Sequence, residues 1–186
     1  MQDDVQLIGT EAEPTAVIRH TLLRSEVRQN LVTPSVAEVL EVLAQQGLHP
    51  GGPVFIRHLT TDPYFFDFEI GVPVAATILS SGRVLASTLP ASTVARVVHH
   101  GPHEGLARAW ARLRDEIARA GLHPGHELWE RHLKGPAESG DPGCWCTELC
   151  QPLLTAAEPG MRLPRDAAYP KVMPSLRPAG TADQNL

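Results

Sequence analysis

The chain has 186 residues, of which 20% are charged and 42% hydrophobic, with a net charge of -5 and a pI near 6.0. This is an ordinary globular composition, and it lacks the basic surface that counterion release on nucleic acid requires. No apolar run approaches the roughly 20 residues of a bilayer span, and Met1-Gln2-Asp3-Asp4 does not open a signal peptide, so the chain is expected to be cytoplasmic.

Residues 1–13 are polar and expected to be loose. Thr15 to Leu23, rich in Val, Ile and Thr, reads as a strand. Thr33-Pro34-Ser35 gives a helix start; Val36, Val39, Leu40 and Leu43 form an apolar stripe, and Gly47 ends it. Pro53 to His58 and Phe65 to Val74 read as two further strands, so the first half is βαββ. Residues 80–92 join the halves, with a hairpin turn at Ser80-Ser81-Gly82 and a short strand from Arg83 to Leu85.

The second half repeats the order. Thr93 to His99 reads as a strand and Gly101-Pro102 as a turn. Leu106, Ala109, Trp110, Leu113 and Ile117 make one helical stripe that Gly121 ends, and Glu127 to Leu133 and Trp145 to Leu149 are the last strands. Beyond Thr155 the prolines at 159, 164, 170, 174 and 178 forbid helix and central strand. Residues 156–186 therefore read as an extended tail, with Tyr169, Val172, Met173 and Leu176 available for partial docking.

The two halves share more than their element order. Gly47-Leu48-His49-Pro50-Gly51 recurs 74 residues later as Gly121-Leu122-His123-Pro124-Gly125, and Phe55-Ile56-Arg57-His58-Leu59 answers Trp129-Glu130-Arg131-His132-Leu133 at the same offset. Glu69-Ile70-Gly71-Val72-Pro73-Val74 answers Glu148-Leu149-Cys150-Gln151-Pro152-Leu153 after a loop five residues longer. Such self-similarity means two copies of one supersecondary unit, and two copies packed together form a groove along their pseudo-dyad. The expected fold is α+β: a tandem βαββ repeat over about 14–79 and 90–155, with pseudo-two-fold symmetry, an antiparallel sheet, two helices and a central cleft.

Glu130 breaks that symmetry, because its repeat mate is Ile56. Strand alternation places Leu128, Glu130 and His132 on one face and Trp129, Arg131 and Leu133 on the other. Glu130 is then either a buried anion awaiting a cation, or a carboxylate that is solvated or paired with Arg57 or Arg131. Glu148 has Glu69 as its mate, and recurrence in both halves is equally consistent with a structural and a functional task. The aromatic residues, including Trp110, Trp129, Trp145, Tyr64, Phe55, Phe65, Phe66 and Phe68, fall nearly all between 55 and 145; they read as core singly and, as a set around one acid, as a pocket for apolar or cationic ligands. Cys144, Cys146 and Cys150 lack a standard zinc spacing and read as core cysteines, and the scattered histidines form no metal motif, so no metal or cofactor is expected.

Pro90-Ala91-Ser92-Thr93-Val94-Ala95, His100-Gly101-Pro102-His103-Glu104, Ala109-Trp110, Trp129 to Pro136, Trp145-Cys146-Thr147-Glu148-Leu149 and Gln151-Pro152-Leu153 form, in this order, a pattern that resembles the GyrI-like effector-binding domain. Glu69-Ile70-Gly71-Val72-Pro73-Val74 is similar to that family's central E-x-G-x-P-V segment. Such domains stand alone or follow the DNA-binding modules of AraC- and MerR-type regulators. The resemblance covers most of residues 14–155 and implies an aromatic cleft with a buried glutamate that accepts lipophilic cations. Glu130 stands at the family's acid, Trp110 at its usual pocket tyrosine, and Glu148 at the glutamate of its last strand motif. His103 and His132 replace two usual tyrosines. The expected ligand-binding set is Glu130, Trp110, Trp145, Tyr64, Phe66, Phe55, His132, Glu148 and His103. The resemblance also implies two alternatives: a hydrolase of cyclopropanoid DNA-alkylating natural products, with Glu130, Glu148 and His132 as acid/base groups, and a topoisomerase-modulating protein. The expected partners are hydrophobic or cationic small molecules, with homodimerisation open and neither DNA nor membrane.

Overall fold

The computed structural model describes residues 3–23, 30–60, 62 and 64–154. The expected tail at 156–186, with its docking residues, lies outside the described residues. In chain order the elements are β1 (Gln6–Thr10), β2 (Glu13–Leu23), α1 (Val32–Gln45), β3 (Phe55–His58), β4 (Phe65–Pro73), β5 (Val84–Leu89), β6 (Ser92–His100), α2 (Leu106–Arg119), β7 (Leu128–Lys134) and β8 (Cys146–Pro152). A 3-10 turn, His103–Gly105, leads into α2. All eight strands form one antiparallel sheet in the order β1-β6-β8-β7-β3-β4-β2-β5.

The order displays the repeat: β3-β4-β2 on one side is matched by β7-β8-β6 on the other, so the pseudo-dyad runs between β3 and β7. The outermost strands are exchanged. β1 precedes β2 in the chain but pairs with β6 of the second half, while β5 precedes β6 but pairs with β2 of the first. Each half is therefore ββαββ, with its first strand closing the other half's edge. This corrects two expectations. Residues 1–13 are not uniformly loose, because Gln6–Thr10 takes the ladder of β6, and the short strand at 83–85 extends to Leu89. The mixed sequence of β1 concealed it: an edge strand buries little, and three of its five residues are exposed and two only partly covered.

The repeated Gly-Leu-His-Pro-Gly motif has a structural task in both halves. Gly47 (φ 67°) and Gly121 (φ 69°) are left-handed residues that end the helices. The bonds Leu48 N–H to Leu43 C=O and Leu122 N–H to Ile117 C=O complete Schellman closures. The motif's second glycine then donates to the proline carbonyl that ends each last strand, Gly51 to Pro73 and Gly125 to Pro152, both at 2.7 Å. The helix start differs from expectation: α1 begins at Val32, and Asn30 Oδ1 accepts from the amides of Val32 and Thr33.

Both helices lie on the same face of the sheet. Val39, Val42 and Leu43 of α1 pack with Ala16, Ile18, Val72 and Val84. Ala109, Trp110, Leu113 and Ile117 of α2 pack with Ala95, Val97, Leu128 and Leu149. The opposite face has its own small core of Val17, Phe55, Leu89, Val94, Trp129 and Cys150. Of the three cysteines expected in the core, Cys150 is buried, Cys146 is partly covered and Cys144 is exposed in the turn before β8.

Candidate functional site

Opposed residues of antiparallel neighbours share a sheet face, so registers can be followed across the molecule. One row on the helix-bearing face runs Val84, Ile18, Ile70, Ile56, Glu130, Leu149, Val97. Seven strands contribute, and Glu130 is the sole polar member. Its side chain is 6% exposed. Among the described residues no Arg, Lys or His forms an ion pair with it, because Arg57 and Arg131 both point to the other face. Its hydrogen-bond partner is the Trp110 indole, whose Nε1–H donates to Oε1 at 2.6 Å from α2 above. Burial raises the carboxyl to about 7, against the smaller opposing effect of that hydrogen bond.

Two residues along β7, His132 shares the face of Glu130. His103, in the turn before α2, sets its ring edge-on to His132 at 5.3 Å and tilted on Trp145 at 4.7 Å. Trp145 anchors the loop before β8 by donating its indole N–H to the Ser139 carbonyl at 2.8 Å. Burial lowers both imidazoles, His132 to about 4 with further help from His103. On the other side of the dyad, Ile56 packs with Phe66, Phe68 and Ile70, flanked by Leu31, Val32 and Val36 at the start of α1. Phe68 stacks on His20 at 5.3 Å and meets the tilted ring of His58 at 5.8 Å.

The face between the helices thus gathers Glu130, Trp110, His132, His103, Trp145 and Phe66 of the expected set. Three others are elsewhere. Phe55 is fully buried on the opposite face beside Trp129, because strand alternation turns it away from Ile56. Tyr64 lies outside the strands and is 72% exposed. Glu148 also faces away from Glu130, in ion pairs with Arg96 and, at 4.0 Å, with Arg131. Its mate Glu69 does the same with Arg57 at 3.4 Å. The two Arg–Glu pairs are in register, Arg57 opposite Glu69 and Arg131 opposite Glu148, so the recurrent glutamate is a feature of the repeat. Glu148 cannot then act with Glu130 as an acid/base pair.

Sequence reasoning gave no site role to His58 or Thr147, and it placed Phe68 only in the general aromatic set. A signal existed for His58, since its repeat mate at the 74-residue offset is His132. Thr147 lies opposite His132 on β8 and is fully buried; nothing in the sequence pattern marked it. Among the described residues, no three His, Cys, Asp or Glu side chains gather as metal ligands, and no helix is long and apolar enough to cross a membrane.

Several solved structures share this fold. EcmrR, solved in complex with DNA, is similar at 21% identity and a TM-score of 0.68; the alignment covers 81% of this chain and 57% of EcmrR, so this chain spans little more than half of that relative's length. SAV2435 bound to tetraphenylphosphonium matches at 12% identity and a TM-score of 0.55, over 82% of this chain and 94% of that one. A hydrolase from Listeria innocua matches at 12% identity and a TM-score of 0.55, over 81% and 91%. No curated protein matches the sequence. The tandem repeat, the eight-stranded sheet with two helices on one face and the match of residues 10–154 to the GyrI-like small molecule binding domain place this chain in that family.

Proposed function

We propose that this protein binds lipophilic, often cationic, small molecules on the sheet face between its two helices, sequestering or sensing them. The observation that carries this reading is Glu130: a carboxylate buried in an otherwise apolar row, with an indole N–H as partner and no counter-cation among the described residues. A buried, unpaired charge is costly. A bound cation would relieve that cost, and the rings of Trp110, Trp145 and Phe66 would supply apolar area and cation–π attraction of about 0.5–2 kcal/mol per contact. That SAV2435 has been solved with tetraphenylphosphonium supports this class of guest for the shared fold. The test is calorimetric titration with tetraphenylphosphonium. Micromolar binding is expected, with a loss of at least tenfold in Glu130→Gln; unchanged affinity in that variant would remove the anchor role.

A second reading rests on the same side chain. A carboxyl near 7 is poised for general acid–base work at neutral pH, so hydrolysis of a cyclopropanoid alkylator would use Glu130, with His132 as the remaining expected partner on this face. Incubation with such a compound distinguishes the two: catalytic ring-opening supports the hydrolase, and stoichiometric binding without product dismisses it.

A further inference from the structure

Polar atoms buried without a hydrogen-bond partner are rare in folded proteins, because each forgoes about 1–3 kcal/mol. Among the described residues six such side-chain atoms occur, and three of them gather in one corner of the helix-bearing face: His103 Nε2, His132 Nε2 and Thr147 Oγ1. His103 and His132 touch edge to face, and Thr147 stands opposite His132 across the β7–β8 ladder. The neighbouring imidazoles are satisfied by contrast. His99, opposite Thr147 on β6, bonds the Pro102 carbonyl at 3.1 Å, and His20 bonds Ser35 Oγ at 2.9 Å. The fold can therefore satisfy a histidine on this face, as it does at His20 and His99.

We infer that His103, His132 and Thr147 form a hydrogen-bonding subsite next to Glu130, and that the preferred guest is an aromatic, lipophilic molecule carrying a hydroxyl, amide or N–H group on its rim. The inference rests on the ligand-binding reading above and narrows the class of guest. Burial keeps both rings neutral at ordinary pH. Each Nε2 then either donates or accepts, and the tautomer adapts to what the guest presents. Neutral rings also add no positive charge beside a site for cations. Glu130 would hold the charge of the guest and the histidine corner would fix its orientation. A guest without a rim group would leave the three atoms as they are and gain nothing from them.

The test uses the full chain and two probes that differ only at the rim: ethidium, with two exocyclic amines, and the same phenanthridinium lacking both amines. Fluorescence titration of the wild type should show ethidium binding at least tenfold tighter. His103→Phe and His132→Phe keep ring volume, and Thr147→Val keeps shape. Each should weaken ethidium while leaving the amine-free probe within about twofold, and thermal melting confirms that each variant is folded. Equal affinity of the two probes in the wild type overturns the subsite. So do histidine variants that weaken both probes alike. If Glu130→Gln leaves both probes unchanged, the parent reading of Glu130 fails, and this outcome is separate from loss of the preference for ethidium.

Discussion

Ile56 and Glu130 face each other across the β3–β7 seam, and the pseudo-dyad passes through this pair. On either side Phe55 opposes Arg131 and Arg57 opposes Trp129, the same two kinds of partner with the halves exchanged. At the centre the exchange fails, since one half supplies an isoleucine and the other a carboxylate. Below pH 4.5 the acid is neutral in both folded and unfolded chains. Between 4.5 and about 7 the unfolded chain ionises and the folded one does not, so this group's contribution to stability falls as pH rises. Glu130→Gln keeps an acceptor for Trp110 and removes the titration. Urea unfolding should show the variant gaining about 3 kcal/mol on the wild type between pH 4.5 and 8, from the size of the shift, while it loses affinity for cations. A difference that does not change with pH would mean that Glu130 is not held neutral by burial.

A permanent cation should bind better as Glu130 ionises. With the carboxyl near 7, affinity for tetraphenylphosphonium should fall about tenfold from pH 8 to pH 6, with a proton released on binding at the lower pH. Calorimetry in buffers of different ionisation enthalpy measures both. An affinity that does not vary over this range would separate binding from the carboxylate.

The indole of Trp110 provides an independent handle on the same titration. Its N–H at 2.6 Å favours the ionised form. Trp110→Phe removes the donor and keeps an aromatic ring, so the midpoint of the pH–affinity curve should move upward. A downward or absent shift would show that the hydrogen bond does not tune the acid.

Much of this arrangement was legible in the sequence, and the illegible part has physical causes. The repeat announced the paired helices and the symmetric strands because Gly47 and Gly121 both need left-handed backbone and Gly51 and Gly125 both bond a strand-ending proline. Alternation assigned Glu130 and His132 to one face of β7. The same rule would have turned Phe55 away from Ile56, but its aromatic character favoured a pocket role over its parity. Glu148 was ambiguous because strand pairing, not spacing, decides which arginines it meets. The exchange of β1 and β5 between halves could not be read at all. It depends on which edge each strand closes, and an edge strand with mixed polarity carries little periodic signal.

The back face should prove structural. Glu148 is buried and pairs with Arg96 and Arg131 away from the helices. Glu148→Gln leaves Arg96 without its carboxylate, while Arg131 keeps Glu13; with the arginines partly exposed, the loss is expected at about 1–3 kcal/mol. Chemical denaturation should register a loss of that order, while tetraphenylphosphonium binding to the folded variant stays within about twofold of wild type. A tenfold loss of binding would return Glu148 to the site.

Glu130 and His132 should also oppose each other in acid. The carboxyl lies above its ordinary value, so its contribution to stability grows as pH falls from about 7 to 4.5. The imidazole lies below its ordinary value, so its contribution is complete above 6.5 and is lost as pH falls towards about 4. Over pH 6.5 to 4.5 one extra proton binds to the folded chain at Glu130 and one to the unfolded chain at His132. Their slopes, each about 1.4 kcal/mol per pH unit, nearly cancel. Each single variant should expose the other group: Glu130→Gln should lose stability, relative to wild type, as pH falls through this window, and His132→Phe should gain it. Unfolding curves for the three proteins at half-unit steps decide the matter. If both variants keep the slope of the wild type, neither side chain is held away from water in the way the fold places it.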